Sequence, residues 1–269
     1  MLRELLQELR DAGEYSAARS VQIAQTLDLL GLFAAQSNEL NETRAAWDES
    51  VTLKRALVDA NLLGEIDLAL SILRMGQLHA NQQKWDDAAI AIAEASGYFE
   101  RDPEARQSRE FVDALNLLAT AHHFAGRSAE AVAAGGRALA LAQHRAAQSG
   151  GEAERIHVVH VMNSLARVYL ESGLTADARS VLSECVADCR DLIAGSANPA
   201  LRNLLAAALN RLGKCCASLG EQAAAEAYLG ESVATMRELV EREGHAELAE
   251  DLALAAADLE RLMQTKPHA

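Results

Sequence analysis

The sequence predicts an all-α protein, a solenoid of about five helical hairpins with a capping helix at each end. Three observations carry this. Of 269 residues, 55 are Ala and three are Pro; Ala is the best helix former and Pro the worst. The chain repeats itself at intervals near 45 residues, a period that fits one helical hairpin per unit. Within each period, small residues recur at fixed offsets, as close helix packing demands.

The repeat is clearest at Leu118-Ala119, Leu165-Ala166 and Leu212-Gly213. Seven residues after the second member stand Gly126, Gly173 and Gly220. Twelve after it stand Ala131, Ala178 and Ala225, and nineteen after it Ala138, Cys185 and Ser232. Four before it stand Leu115, Met162 and Leu209. Two looser units begin at Leu30-Gly31, with Thr43 and Ser50, and at Met75-Gly76, with Ala88 and Ala95. There Asn38 and Gln83 replace the turn glycine. The anchors Gly31, Gly76, Ala119, Ala166 and Gly213 are spaced by 45, 43, 47 and 47. Small residues at the anchor, at twelve and at nineteen let two helices approach. The intervening Gly supplies a left-handed cap that ends the first helix.

The elements follow in order along a single domain spanning 1–269. Residues 1–14 hold an N-terminal capping helix over 2–12, residues 15–245 the five hairpins, and residues 246–269 a C-terminal capping helix and a frayed tail. Glu247, Glu250, Asp251, Asp258 and Glu260 give the last helix a wet face. Helix-breaking residues place loops at Arg101–Glu104, Gln148–Glu152 and Gly195–Pro199.

The stretch Leu115-Asn116-Leu117-Leu118-Ala119, with Gly126-Arg127-Ser128-Ala129-Glu130-Ala131 and Arg137-Ala138-Leu139, resembles the tetratricopeptide repeat (TPR). The period exceeds that family's usual length of about 34. The units therefore look like the extended, kinesin-light-chain-type subclass, over roughly residues 15–245. The resemblance implies a right-handed α-solenoid of about five TPR-like hairpins, with the first helix of each lining a concave surface. It further implies exposure three before and one, four and five after the anchor.

Three before the anchor, the last three units carry Asn116, Asn163 and Asn210. The resemblance makes these amides candidates to bond the backbone of an extended peptide, since an amide offers donors and an acceptor. The alternative is that they bond neighbouring helices or water. Other concave candidates are Gln77, Thr120, Arg167 and Lys214 one after the anchor, His160 six before it, and His123-Phe124 four and five after Ala119. Arg167, Lys214 and His160 form a local basic patch that suits a carboxylate, unless Arg167 and Lys214 pair with Glu171 and other acids. Phe124 is an apolar ligand anchor or a packing residue.

Other residues suggest chemistry only weakly. His157 and His160 have helical spacing, but no further metal ligand stands at a matching position, so the expectation is a solvated or groove-lining pair. His79 and His122 fall where helices pack. Cys185, Cys189, Cys215 and Cys216 read as packing residues. Gly135-Gly136, inside a second helix, reads as a close-packing site, and Trp47 and Trp85 as contacts between units. No nucleophile triad, His-Glu-x-x-His motif or phosphate loop appears, so no enzyme activity, cofactor or metal is expected.

Lys plus Arg number 25 and Asp plus Glu 39, a net charge of −14. That balance repels phosphate and argues against nucleic acid. No apolar run nears the roughly 18 residues that span a bilayer, and the acid-bearing Met1–Leu6 is unlike a signal peptide. The expectation is a cytoplasmic, noncatalytic scaffold, monomer or homodimer, that binds a protein or peptide segment in its groove. The alternatives are a dedicated immunity or secretion-chaperone-like protein that neutralises one basic client, and a peptide or small-ligand sensor.

Overall fold

A computed structural model describes residues 1–11, 16–195 and 198–264, and every regular element among them is helical. Ser196 and Ala197 of the expected third loop, and the tail beyond Gln264, lie outside the described residues. Packing divides the chain into two compact units, Met1–Arg127 and Ser128–Ala269.

The first unit holds α1 (Leu2–Asp11), α2 (Ala17–Gln36), α3 (Leu40–Asp59), α4 (Glu65–Asn81), α5 (Trp85–Arg101) and α6 (Arg109–Phe124). α2 with α3 and α4 with α5 are the first two hairpins. Ser16 caps α2 by accepting the Arg19 amide at 3.2 Å, and Ser108 caps α6 through Phe111 at 3.1 Å. At the expected loop after Arg101, Asp102 Oδ1 accepts the amides of Glu104 and Ala105. A short 3-10 turn, Ala105–Gln107, follows. The capping helix α1 buries Leu6 against Ile23, Leu27 and Ala46. Its Arg3 grips Glu42, with Nε 2.7 Å from Oε1.

The second unit holds α7 (Ser128–Ser149), α8 (Glu152–Glu171), α9 (Thr175–Gly195), α10 (Pro199–Ser218), α11 (Gln222–Arg237) and α12 (Ala249–Gln264). α8 with α9 and α10 with α11 are hairpins. The loop expected over Gln148–Glu152 is shorter than its composition suggested. The Ala-rich α7 runs through Ser149, and Gly150 at φ +62° breaks it. Asn198 caps α10 at Ala200, with Pro199 in the first helical position. One π-helical turn, Glu238–Arg242, extends α11 and buries Leu239. The capping helix α12 then packs Ala255 against Ala206, Val233 and Met236.

The structure gives physical meaning to each repeat offset. A Cβ on Gly31 would lie 2.3 Å from Trp47 Nε1, on Gly76 2.5 Å from Ile92 Cγ1, and on Gly213 2.7 Å from Leu229 Cγ. Each obstructing side chain stands sixteen residues later on the second helix, so the anchor must be small. The residues at twelve, Thr43, Ala88, Ala131, Ala178 and Ala225, are all fully buried. The residue at nineteen is a donor wherever it carries one. Ser50 donates to Ala24 O at 3.2 Å, Cys185 to Val159 O at 3.7 Å and Ser232 to Ala206 O at 2.7 Å.

The turn at seven is left-handed in all five units. Gly126, Gly173 and Gly220 have φ of +77°, +77° and +78°, and Asn38 and Gln83 adopt +59° and +57°. The same pair of backbone hydrogen bonds closes each turn, as in Gln83 N to Ala80 O and Lys84 N to His79 O. Repeat-spaced surface pairs such as Arg55–Glu94 and Arg190–Glu231 connect neighbouring second helices. Gly136, expected to permit close packing, has open space where a Cβ would stand.

Candidate functional site

In the second unit, α8, α10 and α12 enclose a cavity of about 640 Å³. The first helices α8 and α10 contribute Arg167, Glu171, Asn210, Arg211 and Lys214, and α12 contributes Asp251, Leu254 and Asp258. Three of the residues expected at a groove, Arg167, Asn210 and Lys214, line it. Asn163 and His160 do not.

Asn163 is 8% exposed rather than open on the face. Arg211, two before the next anchor, lies over it and donates from Nη1 to its Oδ1 at 2.6 Å. The first unit shows the same relationship. Asp28, three before Gly31, accepts Nη1 of Arg74, two before Gly76, at 2.9 Å. Asn210 in turn donates to Asp258 on α12 at 3.5 Å. In these three repeats the polar side chain three before the anchor is thus engaged by the helix two further along the chain.

Of the expected basic patch, Arg167 and Lys214 are both ion-paired. Lys214 Nζ stands 2.9 Å from Asp258 Oδ2, Asp258 also receives Arg261 at 3.2 Å, and Arg167 reaches Glu171 at 3.7 Å. The reading from the first helices alone omitted α12, whose acids complete the wall. Arg211 differs from its neighbours. Both its partners are neutral oxygens, Asn163 Oδ1 and, at 3.4 Å, Ala207 O. Burial and the nearby Arg167 charge hold its pKa below the usual guanidinium value.

In the first unit Gln77 is exposed on α4, its amide 3.4 Å from Asn81 Oδ1. Asn116 and Thr120 are half-buried on α6, and Thr120 Oγ1 donates to the Asn116 carbonyl at 3.2 Å. Phe124 is 48% exposed yet stacks on Trp85, centroids 4.5 Å apart, with His123 edge-on at 4.9 Å. The unit also buries a network that the sequence reading missed. Asp28 accepts Lys54 Nζ at 2.7 Å and Ser50 Oγ at 2.7 Å, and Lys54 also donates to Ser71 Oγ and Asp67 O. Asp28 occupies the same offset as the Asn series, which was the available signal.

His157 is buried while His160 is exposed, so they do not form a solvated pair. His79 is half-buried, and desolvation lowers its pKa. His122 Nδ1 accepts Arg127 Nε at 3.0 Å. The four cysteines are free and buried. A hydrogen bond with Cys189, together with burial, pushes the Cys185 thiol up; burial pushes Cys215 up to about 11. Such thiols are poor nucleophiles. Among the described residues, no group of three or more His, Cys, Asp or Glu is placed to hold a metal ion. No helix there is long and apolar enough to cross a membrane.

No protein-family model and no curated protein matches the sequence. Solved structures do match its fold. BtubC (BKLC) from P. vanneervenii superposes with a TM-score of 0.68 at 17% identity, over 88% of this chain and 89% of that one. A Podosopora anserina kinesin-light-chain-type protein with nearly identical TPR-like repeats gives 0.63 at 16%, over 81% and 96%. The quorum sensor NprR from B. thuringiensis gives 0.55 at 14%, over 98% and 70%. The chain is an α-helical repeat protein of the TPR-like fold.

Proposed function

We propose that this chain is a noncatalytic interaction module that binds an extended peptide or partner segment on its first helices. The cavity between α8, α10 and α12 carries this reading. It has the size of ligand sites, about 300–1,000 Å³, and combines apolar surface with a few convergent polar groups. In the second unit the segment lies along Arg167, Asn210 and Lys214, while Asn163 supports the wall from beneath. In the first unit Gln77, Asn116, Thr120, His123 and Phe124 offer a separate contact surface. A quorum sensor with the same fold favours a second reading, in which the ligand is a short signal that the cavity senses. The chain works inside the cell on either reading.

The test is affinity capture from native lysate at two salt concentrations, with the wild type and an Arg167→Ala/Lys214→Ala variant. Both residues are partly exposed, so helicity should persist. Loss of the captured partner in the variant supports the reading, and full retention overturns it for this cavity.

A further inference from the structure

The capping helix α1 stands where the second helix of a preceding hairpin would stand. Arg55 on α3 pairs with Glu94 on α5, and Arg190 on α9 with Glu231 on α11. Each acid lies eighteen after its own anchor, and each Arg twenty-four after the anchor before. Arg10 on α1 makes the same pair with Glu49, eighteen after Gly31. Carried back by the 45-residue spacing of the first two anchors, this register sets Leu2 where α3 sets Trp47. Trp47 packs on Met75 and Leu78 of the next first helix. Leu2 is smaller, α1 is half the length of α3, and among the described residues no first helix stands ahead of it. The equivalent positions of α2 are therefore open. One before the anchor, Met75, Leu118, Leu165 and Leu212 are buried, but Leu30 is half-buried. Two after it, Leu78, Ala121, Val168 and Cys215 are buried, but Phe33 is 57% exposed. A cavity of about 410 Å³, lined by Leu2, Leu30, Phe33 and Ala34 among others, marks the unfilled place. Leu29 and Leu32, both exposed, continue the apolar stripe at helical spacing.

The charge pattern selects the occupant of this face. From Val21 to Gln36 the exposed residues of α2 are Leu, Phe, Ala and Gln, and the one charge, Asp28, is buried against Lys54. The whole chain carries −14, so two copies repel wherever their acids meet. A basic partner, in turn, finds no acid on this stripe to hold it. Charge depletion around apolar and aromatic anchors is the composition of an interface core. The closing helix α12 exposes Glu250, Asp251 and Glu260, and stacking that end on α2 would bury unpaired acids. We infer that the occupant is the α2 face of a second copy, in a closed two-fold dimer. A two-fold contact needs one self-complementary patch, and the neutral stripe of Leu29, Leu32 and Phe33 complements itself. Each copy then covers Leu30 and Phe33 of the other, as Trp47 covers Met75 and Leu78. Arg3, Glu39 and Glu42 border the cavity and supply a polar rim. The contact uses no residue of the cavity between α8, α10 and α12, so it stands or falls apart from the binding role proposed there.

The experiment is sedimentation velocity of the full chain over about 1–100 μM. The expected result is a species of twice the chain mass whose share rises with concentration. It should also rise with salt, because screening removes the repulsion between two acidic copies. Phe33→Glu places a charge in the middle of the stripe. The side chain is exposed, so helicity should persist while the dissociation constant rises at least about a hundredfold. Ile90→Glu adds the same charge at an exposed site on α5 and should leave the dimer unchanged. A monomer at every concentration overturns the inference. So does a dimer that salt dissociates, that Phe33→Glu leaves intact, or that Ile90→Glu disrupts equally. Should circular dichroism show Phe33→Glu unfolded, Leu29→Glu on the same exposed stripe decides in its place, and a dimer that survives it overturns the inference.

Discussion

The indole of Trp47 fills the space that a side chain on Gly31 would occupy: a Cβ built there lies 2.3 Å from Nε1. The same indole donates to the Asp28 carbonyl at 3.2 Å, so it is fixed from both sides and cannot retreat. Overpacking a close helix contact costs about 1–3 kcal/mol. Gly31→Ala should lower stability by that amount in urea unfolding. Gly76→Ala should cost a similar amount, because the new methyl meets Cγ1 of Ile92, a fully buried β-branched side chain whose backbone N stands 3.4 Å away. An unchanged midpoint for Gly31→Ala would show that the anchor tolerates size.

The residue at nineteen ties the second helix to the first. Ser232 Oγ stands 2.7 Å from Ala206 O, and both are buried. Ser232→Ala should cost about 1 kcal/mol, the usual net worth of such a bond. Cys185 occupies the equivalent place with a thiol donor. Cys185→Ser keeps the donor in similar volume and should change stability by less than about 1 kcal/mol, while Cys185→Leu overpacks a closed site. A serine variant as damaging as the leucine one would refute the shared role.

The anchor, the turn and the residues at twelve and nineteen were legible in the sequence because hairpin packing is local. Gly31 and Trp47 are sixteen positions apart, so small and large residues recur in step. Even where Gly was absent, the register placed the left-handed turn on Asn38 and Gln83. The cavity was only partly legible. Arg167, Asn210 and Lys214 came from the offsets, but Arg211, two before its anchor, lies at an offset that the repeat pattern does not mark. Its partner Asn163 is 48 residues away. Asp251 and Asp258 escaped because a capping helix carries no repeat signature, and its acids read as a solvated face. The Asp28–Lys54 pair was hidden for the same reason as Arg211, since its groups come from three helices.

Gln83 holds φ at +57° without being Gly. Left-handed backbone costs an ordinary residue about 1 kcal/mol or more. Its side chain is exposed, so replacement forfeits no packing. Gln83→Gly should therefore stabilise the protein by up to about 1 kcal/mol, reduced by the entropy Gly adds to the unfolded chain. Asn38→Gly should gain less, because Asn tolerates this region. Thermal unfolding of both variants checks the order, and a lower midpoint for Gln83→Gly would contradict it.

Docking of α1 should depend on acid. The hydrogen bond from Arg3 holds the Glu42 carboxyl down to about 2, with Glu39 alongside. Unfolded Glu titrates near about 4.3. A carboxylate with a depressed folded pKa contributes stability that is complete above the unfolded value and is lost as pH falls towards the folded one. Glu39, pushed up by its bond to Glu42, shifts the opposite way and softens the effect. The protection factors of the α1 amides, which correct exchange for its intrinsic pH dependence, should fall between about pH 4.3 and 2, and Arg3→Met should show that lower protection already at neutral pH. Constant protection across this range would remove the Arg3–Glu42 contact as the cause.

The Asp28 network makes the sharpest stability prediction. Lys54 is nearly inaccessible, and its three donors go to Asp28, Ser71 and the Asp67 carbonyl. Removing one partner of a buried pair leaves an uncompensated charge, at a cost of about 3–5 kcal/mol. Lys54→Met should fall near the low end, about 3 kcal/mol, because Arg74, Ser50 and Ser71 still reach Asp28. Arg74 is partly exposed, so Arg74→Met should cost less than half as much. The double variant Asp28→Leu/Lys54→Met removes both charges and should recover most of the loss. Additive costs in that double-mutant cycle would mean that the pair is not coupled, and would leave desolvation of Asp28 unexplained.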